Sequence, residues 1–495
     1  MAEDSVGCDG ELKEKGNECV RQPDPSGCGF EKNKCGRVEL SRPIYFYGSP
    51  SFLALLASFL PPLHWLLNYS WRTDFVADIL AGLTVGFMAV PEGLAYSKLA
   101  GMPPVYGLYT NTIPSLVYIV LGTSRHAIFG PITTLSLLTS AIRYKYIPCE
   151  DCWKDRNSTA TTPDGSLLPN LTPIELGSTV AFIVGFYLIL MGLFRLSLIT
   201  RYLSDQVVGG FTAGVAVQVA AGQLNSIFGI DLPKRNGMGK TVMNFVDLFR
   251  MIASSNYVTF LIFLPCFVFL LVLKILINPR VQKKLKFPLP GELVVVLCGT
   301  LASYYGSFNS KYGVKIVEPI PAGLPTPVLP RFDLIPVLWA DSIAPTIVTY
   351  SLSISLAKLF AKRNGYKVDP TQEFYAYGAM NMFGSFFQCI NAGQSMARSL
   401  VCERSGGKTQ LCAFIAVVVG VIVILVIAPF MEALPSCILS SIVVAACIMV
   451  LHNVKEVKTL YRYSKLDLIT YLLTAAGVIG LDVTYGLAVG VLWAL

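Results

Sequence analysis

Charged side chains are scarce in this sequence, since aspartate, glutamate, lysine and arginine make up only 14% of its 495 residues. A soluble domain carries about a quarter. Apolar residues make up 53% instead, and they are grouped into runs such as residues 261–273 and 411–430. These runs approach or exceed the roughly 20 residues that a helix needs to cross a bilayer. The sequence therefore predicts a polytopic membrane protein whose first partner is the lipid bilayer.

Catalytic and cofactor motifs are missing as well. The sequence contains no nucleophile–base–orienter set, no Walker-type loop, no dinucleotide fingerprint and no zincin helix. None of the thirteen cysteines has the spacing of a metal site. We expect no enzymatic activity, no cofactor and no metal. The formal charge of +8 requires no nucleic-acid partner, because the basic residues cluster between the apolar runs.

The N-terminus lacks a secretory signal, since residues 1–45 contain no apolar core. We interpret residues 1–57 as a cytoplasmic tail and residues 58–495 as a transmembrane domain. Fourteen spans are predicted in that domain, at residues 77–98, 104–122, 131–146, 175–194, 205–228, 257–277, 290–305, 337–357, 372–388, 396–403, 409–429, 435–451, 466–481 and 483–495. The basic loops then fall on the cytoplasmic side, as expected of a membrane protein.

The longest polar loop is predicted to be extracellular. It carries two glycosylation sequons, at Asn157 and Asn170. Cys149 and Cys152 lie beside the sequons and form a candidate disulfide, because disulfides persist in oxidising compartments. These features predict a glycoprotein of the plasma membrane.

Two segments, 131–146 and 396–403, are too short or too polar to span the membrane as free helices. Each follows a long helix, expected to end at Lys98 in the first half and at Lys358 in the second. Seven spans in each half would invert the second half relative to the first, and paired broken helices in such repeats mark a midplane substrate site. Helix N-termini carry partial positive charge and unsatisfied N–H groups, so the site favours an anion.

Glu92 lies inside an otherwise apolar helix, next to Pro91. An ionisable residue at membrane depth is a functional-site candidate, and Glu92 is a candidate proton carrier. Tyr96 follows four residues later on the same helical face and is a candidate wall of the site. Two alternatives remain open: Glu92 ends a helix and faces loop water, and Tyr96 only packs.

Arg398 lies in the first turns of the second half-helix. If it faces a cavity, it adds a fixed positive charge to a helix N-terminus, with Ser395 and backbone N–H groups as hydrogen-bond donors. The alternative is an arginine that extends to the cytoplasmic surface. The first-half counterpart is the stretch 130–134, in which threonines follow a proline near the first helical position. Asp341 and Glu292 lie near predicted helix N-termini, where we expect them to act as caps.

Three stretches, at residues 90–131, 361–388 and 396–411, resemble the signatures of the sulfate permease family, the anion-exchanger family that includes pendrin and prestin. The resemblance implies an all-α polytopic membrane protein. Its fourteen transmembrane segments would form two inverted seven-helix repeats, arranged as core and gate domains. An anion would lie between the third and tenth helices and cross by elevator-like movement of the core. The site residues implied by motif are Glu92, Tyr96, Ile132, Thr133, Ala397 and Arg398.

The chain departs from the family pattern at four positions. Glu92 replaces the glutamine of most animal members, as in proton-coupled members. Ile132 and Ala397 replace a phenylalanine and a serine, which changes the polarity of the site, and Ile448 replaces a lysine of some members. We interpret the family's C-terminal STAS domain as absent and the last span, which ends at Leu495, as truncated. The full-length protein is expected to be a homodimer.

These observations lead to the hypothesis of a secondary active transporter for sulfate or a similar small anion, such as oxalate, chloride or bicarbonate. Transport would follow elevator-type alternating access, with coupling to H⁺ through Glu92. Antiport and symport both remain open. The alternative is a prestin-like voltage-sensing motor or an uncoupled anion channel.

Overall fold

The protein divides into two compact units, residues 1–51 and 52–495. The computed structural model describes residues 31–33, 37–39, 69–71, 74–147, 160–161, 167–168, 171–195, 205–230, 239–285, 289–317, 323–452, 465–481 and 483–494. In the first unit, β1 (Glu31–Asn33) and β2 (Arg37–Glu39) pair antiparallel. This hairpin is not predicted from the sequence, because strands of three residues are too short to show an alternating pattern.

The second unit consists mainly of helices. Its first half contains α1 (Asp74–Leu99), α2 (Val105–Leu121), β3 (Phe129–Gly130), α3 (Thr133–Tyr146), β4 (Ala160–Thr161), β5 (Leu167–Leu168), α4 (Pro173–Leu193), α5 (Asp205–Gly222), α6 (Leu224–Phe228), α7 (Lys240–Met251), α8 (Tyr257–Val272), α9 (Asn278–Leu285), α10 (Gly291–Gly306) and α11 (Phe308–Tyr312). A π-helical turn, Leu273–Ile277, joins α8 to α9.

The second half repeats the main features of the first. It contains α12 (Ile335–Leu338), α13 (Ile343–Asn364), α14 (Pro370–Ser385), β6 (Gly393–Gln394), α15 (Met396–Arg404), α16 (Leu411–Ile422), α17 (Ser436–His452), α18 (Lys465–Gly480) and α19 (Val483–Ala494). A π-helical turn, Val423–Ile427, extends α16. In both halves two helices precede a two-residue strand, and a shorter helix follows that strand. The two predicted half-helices are thus α3 and α15.

Five of the described helical stretches are long and apolar enough to cross a membrane: Asp74–Leu99, Pro173–Leu193, Gln206–Phe228, Tyr257–Val281 and Ile343–Asn364. Shorter apolar helices supply further segments of the kind that inverted-repeat transporters use.

Strands β3 and β6 relate the two halves by an approximate twofold axis. They pair antiparallel, with Phe129 opposite Gln394 and Gly130 opposite Gly393. Exchanging Phe129 with Gly393 and Gly130 with Gln394 reproduces the same pairing. Because each strand leads directly into a half-helix, this small sheet fixes the starts of α3 and α15 beside each other.

The membrane helices pack in two groups. The core group consists of α1–α4 and α13–α16, and the gate group consists of α5, α8, α10 and α17–α19. The two groups meet where α1 contacts α10 and α17, and where α3 contacts α5. The predicted site residues Glu92 and Tyr96 therefore lie on a helix that borders both groups.

Helix α13 corrects one sequence expectation. The helix expected to end at Lys358 continues to Asn364, because the intervening residues are good helix formers. It ends at Gly365, whose φ of 70° gives the left-handed conformation that commonly closes a helix. The sequons at Asn157 and Asn170 and the cysteines Cys149 and Cys152 lie outside the described residues.

Candidate functional site

The N-termini of α3 and α15 meet at the β3–β6 sheet. Helix α15 has a side-chain cap, since the Ser395 hydroxyl accepts a hydrogen bond from the Arg398 backbone N–H at 3.4 Å. Helix α3 has none, because its N-cap residue is the extended Ile132. The positive ends of both helices point into one region, and only one of them is capped by a side chain.

Arg398 is fully buried and crosses from the second repeat to the first. Its Nη1 donates to Asn111 Oδ1 at 2.5 Å and to the Phe129 carbonyl at 3.4 Å. Its Nη2 donates to the Pro131 carbonyl at 3.1 Å. These contacts exclude the alternative in which Arg398 extends to the cytoplasmic surface. They also place a fixed positive charge between the two helix N-termini.

Glu92 faces Arg398 inside the protein. Helix α1 continues through Pro91, and the Glu92 side chain is only 3% exposed, so it does not face loop water. Its Oε2 lies 3.4 Å from Arg398 Nε. Within the described part of the chain, neither of these two atoms has a hydrogen-bond partner. The ion pair is therefore held by charge, and both groups keep hydrogen-bonding capacity for another partner.

Asn111 is a site residue that the sequence reasoning missed. Its amide Nδ2 donates to the Ala89 carbonyl at 2.7 Å, and its Oδ1 accepts from Arg398. A Cβ at Gly93 would overlap the Asn111 amide, so the close approach of α2 to α1 requires glycine there. Asn111 thereby links the helix that carries Glu92 to the guanidinium of Arg398. An asparagine inside an apolar span was the available signal.

The remaining predicted residues border this pair. Tyr96 is buried and interacts electrostatically with Glu92 and Arg398, and its hydroxyl is placed against Thr133. Ile132 and Thr133 are half-buried, whereas Ala397 is exposed. The less buried of the predicted residues therefore lie at the first turns of the two half-helices. Tyr96, Thr133 and Ser395 thus lie near the charge pair, whereas Ile132 and Ala397 stand beside it only as the chain neighbours of Pro131 and Arg398.

A small cavity borders Arg398 and Asn111. Its other lining residues are mostly apolar and come from α1, α2, the β3 region and α16. All of these elements belong to the core group. The cavity therefore lies inside the core group and apart from the contact between core and gate.

Two expected helix caps are corrected by the structure. Glu292 forms no side-chain cap of α10, and its Oε1 lies 2.7 Å from Lys274 Nζ. Asp341 accepts hydrogen bonds from Lys145 at 2.8 Å and from the Tyr146 hydroxyl at 2.7 Å. Both carboxylates lie within reach of a cation on another segment, and a charge-assisted bond is stronger than a bond to a backbone N–H.

Residues 75–474 match the sequence pattern of the sulfate permease family. The sulfate transporter of Mus musculus is 35% identical over 449 residues, which cover 88% of this chain and 61% of that protein. Prestin of Danio rerio is 35% identical over 449 residues, covering 89% of this chain and 60% of that protein. The chain thus spans less than two thirds of the length of these relatives.

Among solved structures, the murine solute carrier 26 family member A9 anion transporter in its inward-facing state has a TM-score of 0.82. It is 28% identical, and the match covers 91% of this chain and 72% of that chain. This likeness confirms the predicted all-α polytopic fold of fourteen transmembrane segments in two inverted repeats.

Proposed function

The chain belongs to the sulfate permease family, and we propose that it carries sulfate or a similar small anion across the membrane as a secondary active transporter. The observation that carries this proposal is the buried Glu92–Arg398 ion pair between the N-termini of α3 and α15. A membrane protein that needed only packing at this position would gain nothing from two buried charges.

The anion would bind beside the pair, at the first turns of the half-helices. Arg398 supplies a fixed charge that cannot be lost by deprotonation, and two helix dipoles add to it. Backbone N–H groups after Ile132 and the exposed position of Ala397 offer the remaining contacts. The name of the mouse relative, sulfate transporter, supports an oxyanion as the substrate.

Glu92 would couple the anion to H⁺. When ionised, it neutralises Arg398 and repels an anion that approaches. When it takes a proton, the repulsion ends and the Arg398 charge becomes available. Proton and anion then occupy the site together and cross in the same direction. Lower pH on the side of uptake therefore increases the occupancy of the site, and uptake follows an imposed H⁺ gradient.

Access would alternate by movement of the core group against the gate group. The Glu92–Arg398 pair belongs wholly to the core, and α1 borders the gate helices α10 and α17. A movement of the core as a body would carry the site from one side of this contact to the other. We further propose a plasma-membrane location, a cytoplasmic N-terminus and a homodimer in the full-length protein.

The test is uptake of labelled sulfate into proteoliposomes under imposed pH gradients. We expect an inwardly directed H⁺ gradient to stimulate uptake into the wild-type vesicles. Glu92→Gln should abolish this stimulation while the variant still binds sulfate. Glu403→Gln is a matched control, because Glu403 pairs with Arg363 away from the site and its loss should leave the stimulation intact.

Two results would contradict the proposal at different levels. Wild-type vesicles that take up no sulfate or other small anion would remove the transport function. If sulfate uptake does not depend on the H⁺ gradient and Glu92→Gln leaves it unchanged, only the proposed proton coupling is contradicted.

A second candidate function is an anion-dependent voltage-sensing motor or uncoupled channel. It is favoured by the 35% identity to a relative named prestin. In this case the anion would bind at the same pair without a coupled transport cycle. Patch-clamp recording separates the two functions, since large anion-dependent nonlinear capacitance, or a current far above transporter turnover, belongs only to the second.

A further inference from the structure

A second buried ion pair lies in the gate group. Lys274, in the π-helical turn Leu273–Ile277, places its Nζ 2.7 Å from Oε1 of Glu292 in the first turn of α10. The Glu292 side chain is 2% exposed and that of Lys274 is 18% exposed. Single π-helical turns inside longer helices occur frequently at functional sites. Buried charges at membrane depth also mark such sites.

The two ion pairs lie on opposite sides of the contact between core and gate. Helix α10 packs against α1, and Glu92 interacts electrostatically with Lys274 and Glu292 as well as with Arg398. Cys447 of α17 interacts electrostatically with both Tyr96 and Lys274. Lys274 therefore lies within electrostatic range of the residues that border the contact from the core side.

Each of the two carboxylates lies against one cation. Glu92 Oε2 lies 3.4 Å from Arg398 Nε and makes no hydrogen bond within the described residues, whereas Glu292 Oε1 lies only 2.7 Å from Lys274 Nζ, the distance of a charge-assisted contact. The four groups together carry two positive and two negative formal charges. An anion that enters between them can therefore take over a cation from either carboxylate.

We propose that Lys274 is a second cation of the anion site, kept in reserve by Glu292, and that it sets a preference for doubly charged oxyanions over halides. This inference rests on the proposed function. A halide offers Lys274 the same single charge that Glu292 already offers, so exchange brings no gain. A dianion at the same distance attracts the ammonium twice as strongly. Lys274 then leaves Glu292 and closes on the substrate from the gate side.

The experiment measures KM for labelled sulfate and for labelled chloride in proteoliposomes of the full chain. We expect Lys274→Gln to raise the sulfate KM about tenfold or more and the chloride KM less than about threefold. The double variant Lys274→Gln/Glu292→Gln leaves no unpaired carboxylate and should show the same larger rise in the sulfate KM than in the chloride KM. Lys274→Arg should recover most of the sulfate preference. Lys145→Gln, which breaks an ion pair with Asp341 elsewhere, should change neither KM by more than about twofold.

The outcomes separate this inference from the proposed function. Equal changes in both KM values, or a wild-type sulfate preference in the double variant, would show that the pair only stabilises the gate. If wild-type vesicles move neither ion, the proposed function fails. The inference about Lys274 is then tested by anion binding, measured as the rise in Tm that sulfate or chloride causes. A larger rise with sulfate than with chloride, lost in the double variant, supports the second cation. No sulfate-specific rise, or one that the double variant retains, overturns it.

Discussion

Helix α15 begins with a serine cap and carries Arg398 in its first turn, whereas α3 begins at Ile132 without a side-chain cap. Counting from the paired strands, the residue of α3 equivalent to Arg398 is Thr134, which is buried and uncharged. The twofold axis thus relates the backbones and not the side chains. One half-helix supplies the fixed charge, and the other offers backbone N–H groups.

This difference shows how an inverted repeat can build an asymmetric site. A second arginine at Thr134 would place two cations near one anion, and it would need a second counter-ion at membrane depth. The single Arg398 avoids this cost. Within the described residues, the partners of its side chain come from the first repeat: Glu92, Asn111 and the carbonyls of Phe129 and Pro131. The charge of one repeat is therefore held in place by the other.

The largest expected effect comes from removing the charge on the α15 side. We predict that Arg398→Gln lowers sulfate transport at least about 100-fold, because the anion loses its charge-assisted contact with the positioned guanidinium of Arg398. It should also lower the free energy of unfolding by about 3–5 kcal/mol, since Glu92 is left as an unpaired buried carboxylate. Vesicle flux and thermal unfolding measure the two effects.

The double variant Arg398→Gln/Glu92→Gln separates stability from transport. It should recover most of the lost stability because no buried charge is left unpaired. Transport should stay low because the site has no cation. Restored transport in this variant would mean that the helix N-termini alone hold the anion, and the contrast between α3 and α15 would lose its meaning.

The parts of this contrast that follow local rules could be predicted from the sequence. The short polar segments predicted at 131–146 and 396–403 are found as Thr133–Tyr146 and Met396–Arg404. Glu92 was identified because a carboxylate in an apolar run has few structural reasons to exist. Periodicity and composition act along the chain, so they locate the helices and their unusual residues.

The partners of these residues could not be predicted in the same way. Of the three groups that accept hydrogen bonds from the Arg398 side chain, two are backbone carbonyls, which every residue possesses, and the third is Asn111 from a helix 287 positions away in sequence. Glu292 was expected to cap a helix because it lies near a helix N-terminus. Its actual partner, Lys274, lies on another segment, and no local pattern in the sequence links the two. Tertiary packing decides these pairings, and a single sequence does not record it.

Asn111 of the first repeat accepts a hydrogen bond from the Arg398 side chain and so helps to position it. We predict that Asn111→Leu lowers the free energy of unfolding by about 1–3 kcal/mol, because a buried guanidinium N–H loses its acceptor. The sulfate KM should rise about tenfold as Arg398 shifts. Thr112→Val is the matched control, since the Thr112 hydroxyl donates only within α2 to the Leu108 and Tyr109 carbonyls. An unchanged KM in Asn111→Leu would show that Arg398 keeps its position without this hydrogen bond.

The cap on α15 should have a smaller effect. Ser395→Ala removes the acceptor of the Arg398 N–H, and we predict a loss of about 1 kcal/mol in the free energy of unfolding. The sulfate KM should change by only a few-fold, because the Arg398 side chain keeps its partners. Ser395→Thr retains the hydroxyl and should behave like the wild type. A loss of transport as large as in Arg398→Gln would place the Ser395 hydroxyl itself on the anion.

The smallest effect tests whether the uncapped start of α3 serves the anion. Ile132→Thr and Ile132→Val have nearly equal shapes, and only the threonine can accept a hydrogen bond from the first-turn N–H groups. If the anion uses those N–H groups, the threonine hydroxyl competes with it, and the sulfate KM of Ile132→Thr should exceed that of Ile132→Val about two- to threefold. The shared loss of apolar volume cancels between the two variants, so the KM ratio isolates the cap. Equal KM values would mean that α3 contributes only the field of its dipole. Direct contacts with the anion would then come from α15 and not from α3.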